Sequence, residues 1–135
     1  MVQSYATDRM PGGLKGALVV VWLQAAVNLV FAMVLFRENR NDIANGYTDD
    51  SGLLVTAAWV TLGTALLLAA CALGAAARQD WARRTVIALE VLNVLGGVLL
   101  VLVGGAVPGL VGMVVSAVVI GGFGSAKAVA WVRRR

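Results

Sequence analysis

Four long apolar runs, separated by short polar or glycine-rich breaks, set the plan of this chain. They cover about 16–36, 53–77, 85–103 and 107–130. Each holds roughly the 20 residues that an α-helix needs to cross a bilayer core at about 1.5 Å per residue. In lipid every backbone N–H and C=O must be bonded within its own segment, so runs of this length predict helices. The expected fold is all-α, a bundle of four transmembrane helices running up-down-up-down. Residues 1–13 read as a cytoplasmic tail ending in Pro11-Gly12-Gly13, 14–132 as the membrane domain and 133–135 as a short basic cytoplasmic tail.

The breaks carry their own signals. Asp49-Asp50-Ser51 precedes the second run, and Asp50 or Ser51 suits an N-cap, whose side-chain oxygen accepts a free first-turn N–H. Residues 37–46 have the makings of a short surface helix ending at Gly46, with Ile43 and Ala44 toward the membrane. Gly104 to Gly109 holds no charge, so helices three and four are expected to form a tight hairpin. Pro108 falls in the first turn of helix four, where its missing N–H is harmless. Arg9 and Lys15 precede the first run as in a signal peptide. That run is too long for one, however, and no small-residue cleavage motif follows it.

Composition agrees with a lipid solvent. The chain is 60% hydrophobic and 13% charged, whereas a soluble domain is nearer a quarter charged. A soluble chain of 135 residues keeps too much surface to hide that much apolar area. The net charge of +4 is unevenly placed. Arg9 and Lys15, then Arg78, Arg83 and Arg84, then Lys127 and Arg133 to Arg135 fall on one side of the expected bundle. The first loop mixes Arg37 and Arg40 with Glu38, Asp42, Asp49 and Asp50. Basic loops stay in the cytoplasm, so the expectation is a multi-pass protein of the inner (plasma) membrane with both termini cytoplasmic. Trp81 and Trp131 fall at the cytoplasmic helix ends and Tyr47 in the outer loop, where aromatic rings favour the headgroup level. Basic residues are not interleaved with readers along one surface, which argues against a nucleic-acid partner.

Little catalytic chemistry is on offer. There is no histidine, and the one cysteine, Cys71, lies in an apolar run, so no intrachain disulfide or metal-ligand spacing exists. Asp42, Asp49 and Asp50 lack the dense alternation of a calcium loop. No metal and no cofactor is expected. What stands out is polarity at membrane depth: Gln24 and Asn28 on helix one, Glu90 and Asn93 on helix three, each pair on a single helix face. Gln24 and Asn93 lie on the order of 12 Å from the cytoplasmic ends. Unpaired polar groups in hydrocarbon are costly, so these four should face protein. The leading reading makes them interhelical hydrogen-bond glue. The competing readings make Glu90 a proton- or cation-linked transport group or the acid of a small-molecule pocket. Lys127 and Arg84 are long enough to snorkel toward it.

Two stripes of small residues at four-residue spacing allow close helix approach. Helix two carries Ala57, Thr61, Ala65 and Ala69. Helix four carries Gly105, Gly109, Ala117, Gly121 and Ser125, interrupted by Met113. They serve either the bundle itself or an interface with another copy. The expected partners are therefore the lipid bilayer and a homo-oligomer or membrane-protein partner.

Trp22-Leu23-Gln24 through Asn28, the charged first loop ending near Asp50, and Trp81-Ala82-Arg83-Arg84 leading to Glu90 resemble small four-helix integral membrane proteins of actinobacteria. The resemblance implies a fold and a GC-rich source, and brings no catalytic residue. Two function classes follow from the residues. One is a non-enzymatic subunit, self-associating or accessory, that acts through helix contacts. The other is a small membrane enzyme, terpene-cyclase-like, or a proton- or cation-linked carrier with a polar pocket around Glu90.

Overall fold

A computed structural model describes residues 9–49 and 51–133. Among them every regular element is an α-helix: α1 (Gly12–Ala44), α2 (Ser51–Ala76), α3 (Asp80–Leu102), α4 (Ala106–Gly124) and α5 (Ala126–Arg133). Three of these, α1, α2 and α4, are long and apolar enough to cross a membrane, and only 17–22% of each apolar window is buried. Val27, Phe31, Leu66 and Val114 stand among the exposed side chains. Continuous apolar surface of this kind has lipid as its natural solvent, which points to a membrane protein.

Residues 22–70 form one compact unit. Ala25 and Ala32 of α1 are buried, as are Ala58 and Ala65 of α2. Seven residues are close to two turns, so each alanine pair lies on one face of its helix. Small side chains of this kind permit close helix packing. Toward the polar end Phe36 and Trp59 meet edge to face, with ring centroids 5.1 Å apart.

The described residues of 1–21 and 71–135 form the other unit. Its centre is the antiparallel pair α3 and α4, in which Gly97 and Gly109 face each other. An added Cβ on Gly109 would stand 2.7 Å from the Gly97 carbonyl oxygen, and one on Gly97 would stand 2.9 Å from that of Gly109. The first turns of α1 pack on the end of α4, since a Cβ on Gly122 would collide with Ala17 and stand 2.8 Å from the Gly13 carbonyl oxygen. Leu14, Val21, Val86, Val119 and Phe123 are buried in this unit.

Several expected boundaries move. α1 is not followed by a separate surface helix but runs on through Ala44. Gly46, at φ +84°, ends it. The Tyr47 N–H donates to the Asp42 carbonyl (2.9 Å) and the Gly46 N–H to that of Ile43 (3.2 Å). These are the two bonds of a Schellman cap. α1 also begins at Gly12, inside the expected tail. α3 starts at Asp80 rather than 85. An acidic residue suits a helix N-terminus, and Asp80 ties the first turn to Arg83 and Arg84. Ser51 lies inside α2, and its Oγ donates to the Thr48 carbonyl at 2.8 Å instead of accepting a first-turn N–H. The fourth run breaks at Ser125, whose extended backbone (ψ 146°) separates α4 from α5. The Ser125 Oγ accepts from the Ala128 N–H at 3.2 Å and donates to the Gly122 carbonyl at 3.1 Å. It is an N-cap, placed after three weak helix formers, Gly121, Gly122 and Gly124. Residues 1–8, Asp50 and the basic pair 134–135 lie outside the described residues.

Candidate functional site

The deepest polar feature is Glu90, fully buried in α3. One helical turn on, the Asn93 Nδ2 donates to its Oε2 at 3.4 Å, a long bond. Register identifies a further member of this layer. Gly97 faces Gly109; seven residues back along α3 is Glu90, and seven on along α4 is Ser116. Seven residues are about two turns on each helix, so both sit on the facing sides at one level. Ser116 is 1% exposed. A carboxyl and a hydroxyl thus share one buried layer of the α3–α4 pair, whereas Asn93 is exposed, contrary to the expectation that all four polar residues face protein.

A count of small residues in fours along the sequence misses Ser116. Each four-residue step on a helix of 3.6 residues per turn drifts about 40°. From Gly109 to Gly121, within α4, the stripe therefore winds about 120°. The buried face is instead Gly109, Ser116, Val119 and Phe123. Of the expected stripe, Gly109 makes a backbone approach, Gly105 precedes α4, Ala117 and Gly121 are exposed, and Ser125 caps α5. On α2, Ala65 is buried, while Ala57, Thr61 and Ala69 are half-buried. The Thr61 hydroxyl donates to the Ala57 carbonyl at 2.8 Å, so that pair is bonded along its own helix.

The helix-one pair lies in the 22–70 unit. The Asn28 Nδ2 donates to the Gln24 main-chain carbonyl at 2.8 Å, and both residues are half-buried. This unit also carries two apolar clefts. One, of about 220 Å³, is lined by Trp22, Ala25, Ala26, Leu29, Ala65, Leu66 and Ala69. The other, of about 310 Å³, runs along α1 from Ala26 to Val34. Neither includes Glu90, Asn93 or Ser116. A polar cavity of about 350 Å³ at the α1–α2 turn is lined by Asp42, Gly46, Tyr47, Thr48 and Asp49. Among the described residues no group of three His, Cys, Asp or Glu side chains is arranged to hold a metal ion.

The turn between α2 and α3 forms a charged cluster. Asp80 accepts from the Arg83 Nε at 3.0 Å and pairs with the Arg84 Nη2 at 2.7 Å. The Arg83 hydrogen bond, aided by the charge of Arg84, holds the Asp80 carboxyl below its ordinary value of 3.8. Arg78 occupies the left-handed region at φ 60°. The Gln79 N–H donates to the Gly74 carbonyl (2.8 Å) and the Arg78 N–H to that of Ala75 (3.1 Å), a second Schellman cap. The Arg78 guanidinium lies over the Trp131 ring, 4.7 Å from its centroid.

No protein-family model, curated protein or solved structure matches this chain.

Proposed function

We propose that this protein is a small four-span membrane protein that acts through helix–helix contacts, as a self-associating or accessory subunit. α3 is the fourth span in this reading: Thr85 to Leu102 is apolar apart from Glu90 and Asn93, and the whole helix is about 34 Å long. Both termini lie in the cytoplasm of a cell bounded by its plasma membrane, in keeping with the basic residues at the start of α1, the α2–α3 turn and the C-terminus.

One observation carries the proposal, the cleft on α1 and α2 whose lining includes the small residues Ala25, Ala26, Ala65 and Ala69 alongside Trp22. Small residues of this kind let another helix approach closely. The contact of Asn93 with Glu90 runs within α3 and joins no second helix, and neither apolar cleft is lined by Glu90. The test is to reconstitute labelled protein in bilayers and count photobleaching steps at rising protein-to-lipid ratio. Association that grows with density, and that Ala26→Trp abolishes, is expected. A monomer at every density would overturn self-association.

The complete burial of Glu90 beside Ser116 favours one second reading, an intramembrane proton- or cation-linked carrier or a small membrane enzyme. An ionisable group at this depth is costly to keep. In that reading Glu90 is the working group, with Asn93 and Ser116 as positioning residues.

A further inference from the structure

Most of the described cationic residues of the unit centred on α3 and α4 collect at one end of it. Because Gly97 faces Gly109, α3 and α4 are antiparallel, and the start of α3 shares an end with the finish of α4. The packing of Gly122 against Gly13 brings the start of α1 to the same end. The α2–α3 turn and α5 are there by connection. Lys15, Arg78, Arg83, Arg84, Lys127 and Arg133 therefore gather at that end. The carboxylate described among them is Asp80, and Arg83 and Arg84 already engage it. Glu90 lies about 15 Å along α3 from its start. The opposite end of the α3–α4 hairpin, residues 102–107, carries no charge.

α5 is built to hold this charge at a surface. Its buried side is Ala128, Trp131 and Val132, while Lys127 and Arg133 are exposed. Arg78 is spent on the Trp131 ring. Lys15, Lys127 and Arg133 remain exposed with no carboxylate among the ion pairs described for them, and Arg84 is 70% exposed beyond its Asp80 contact. Trp81, 52% exposed, adds an aromatic ring beside them. Exposed cations, an interfacial indole and an amphipathic helix just past an apolar span match a layer of phosphate headgroups.

We infer that this end is a binding surface for anionic phospholipid headgroups, with Lys15, Lys127 and Arg133 as its principal contacts. The inference rests on the membrane-spanning reading above. A cation near a membrane surface favours anionic lipid by about 1 kcal/mol, or roughly fivefold in affinity.

The full-length protein is reconstituted in nanodiscs of phosphatidylcholine mixed with phosphatidylglycerol. The headgroups it retains are then counted by native mass spectrometry. Wild type should enrich phosphatidylglycerol, and added salt should weaken the enrichment. Lys127→Gln with Arg133→Gln should reduce it, by roughly fivefold for each cation lost. Arg37→Gln with Arg40→Gln, which removes charge from the far end of α1, should leave it unchanged. Circular dichroism confirms that each variant is folded. Equal retention of both lipids by wild type, or enrichment indifferent to Lys127 and Arg133, would overturn the inference while leaving the spanning reading intact. Release of the protein from membranes by alkaline carbonate would overturn both.

Discussion

Gly97 and Gly109 approach so closely that each occupies the space where the other's side chain would begin. This contact sets the register of α3 on α4, and through it the level of Glu90 and Ser116. A methyl on Gly109 would stand 2.7 Å from both the Gly97 carbonyl oxygen and the Val101 Cγ2. Gly109→Ala is expected to force the helices apart and destabilise the fold by about 1–3 kcal/mol. Gly96 and Gly112 have open space around them, so alanine there should be neutral or stabilising by up to about 1 kcal/mol. Reversible unfolding in mixed micelles would measure both; equal effects at Gly109 and Gly112 would refute the close contact.

Arg78 combines an unfavourable backbone with a favourable side-chain contact. Left-handed geometry costs a non-glycine residue about 1–2 kcal/mol, and a cation over an indole returns about 0.5–2 kcal/mol. Arg78→Ala keeps the strain and loses the stacking, whereas Arg78→Gly loses both. The glycine variant should therefore be the more stable of the two by about 1 kcal/mol, read from the same unfolding curves.

Ser125 decides where α5 begins. Ser125→Ala removes the oxygen that accepts from the Ala128 N–H, at a cost of about 1 kcal/mol. Hydrogen exchange at Ala128 and Val129 should accelerate while the centre of α4 stays protected. Ser125→Asp, another good N-cap, should restore protection.

The Asp80 carboxyl titrates below 3.8 in the folded protein, chiefly because Arg83 donates to its ionised form. A depressed value means that the contact contributes fully above the unfolded value and is lost as pH falls through the lower folded one. The α2–α3 turn should hold its hydrogen-exchange protection at neutral pH and loosen only under strongly acid conditions. High salt should weaken the effect, because the site is exposed. Asp80→Asn should remove that acid step.

Glu90 separates the two functional readings. Glu90→Gln keeps volume and hydrogen bonding, so under the glue reading it should be tolerated or slightly stabilising. Glu90→Ala should cost about 2–3 kcal/mol, since it opens a void and strands Asn93. Proton or cation flux into proteoliposomes that wild type supports and a folded Glu90→Gln protein lacks would move the assignment to the carrier reading.

The helices were legible because long apolar runs have few ways to satisfy their backbones in lipid. Their ends were less so, since side chains a few residues away decide them. Asp80 could be recognised as a helix start only from its spacing to Arg83 and Arg84, a local pattern inside what looked like a loop. Ser125 fits a four-residue packing stripe, but glycines at 121, 122 and 124 already weaken the helix before it. Glu90 and Asn93 were visible as polar residues in an apolar run. Ser116 was not, because a lone serine in a membrane helix becomes notable only once the Gly97–Gly109 register is known.

The continuity of α1 through Ala44 has a mechanical meaning. Residues 37–44 carry the charges of the turn on a rod rather than on a tether. One residue inserted between Phe36 and Arg37 would rotate everything up to the Gly46 cap by about 100° and lift it by about 1.5 Å. A floppy connection would absorb such an insertion. Here Arg37, Arg40 and Asp42 would all point elsewhere together, so the azimuth of this charged tip is fixed by how α1 is seated in the bilayer.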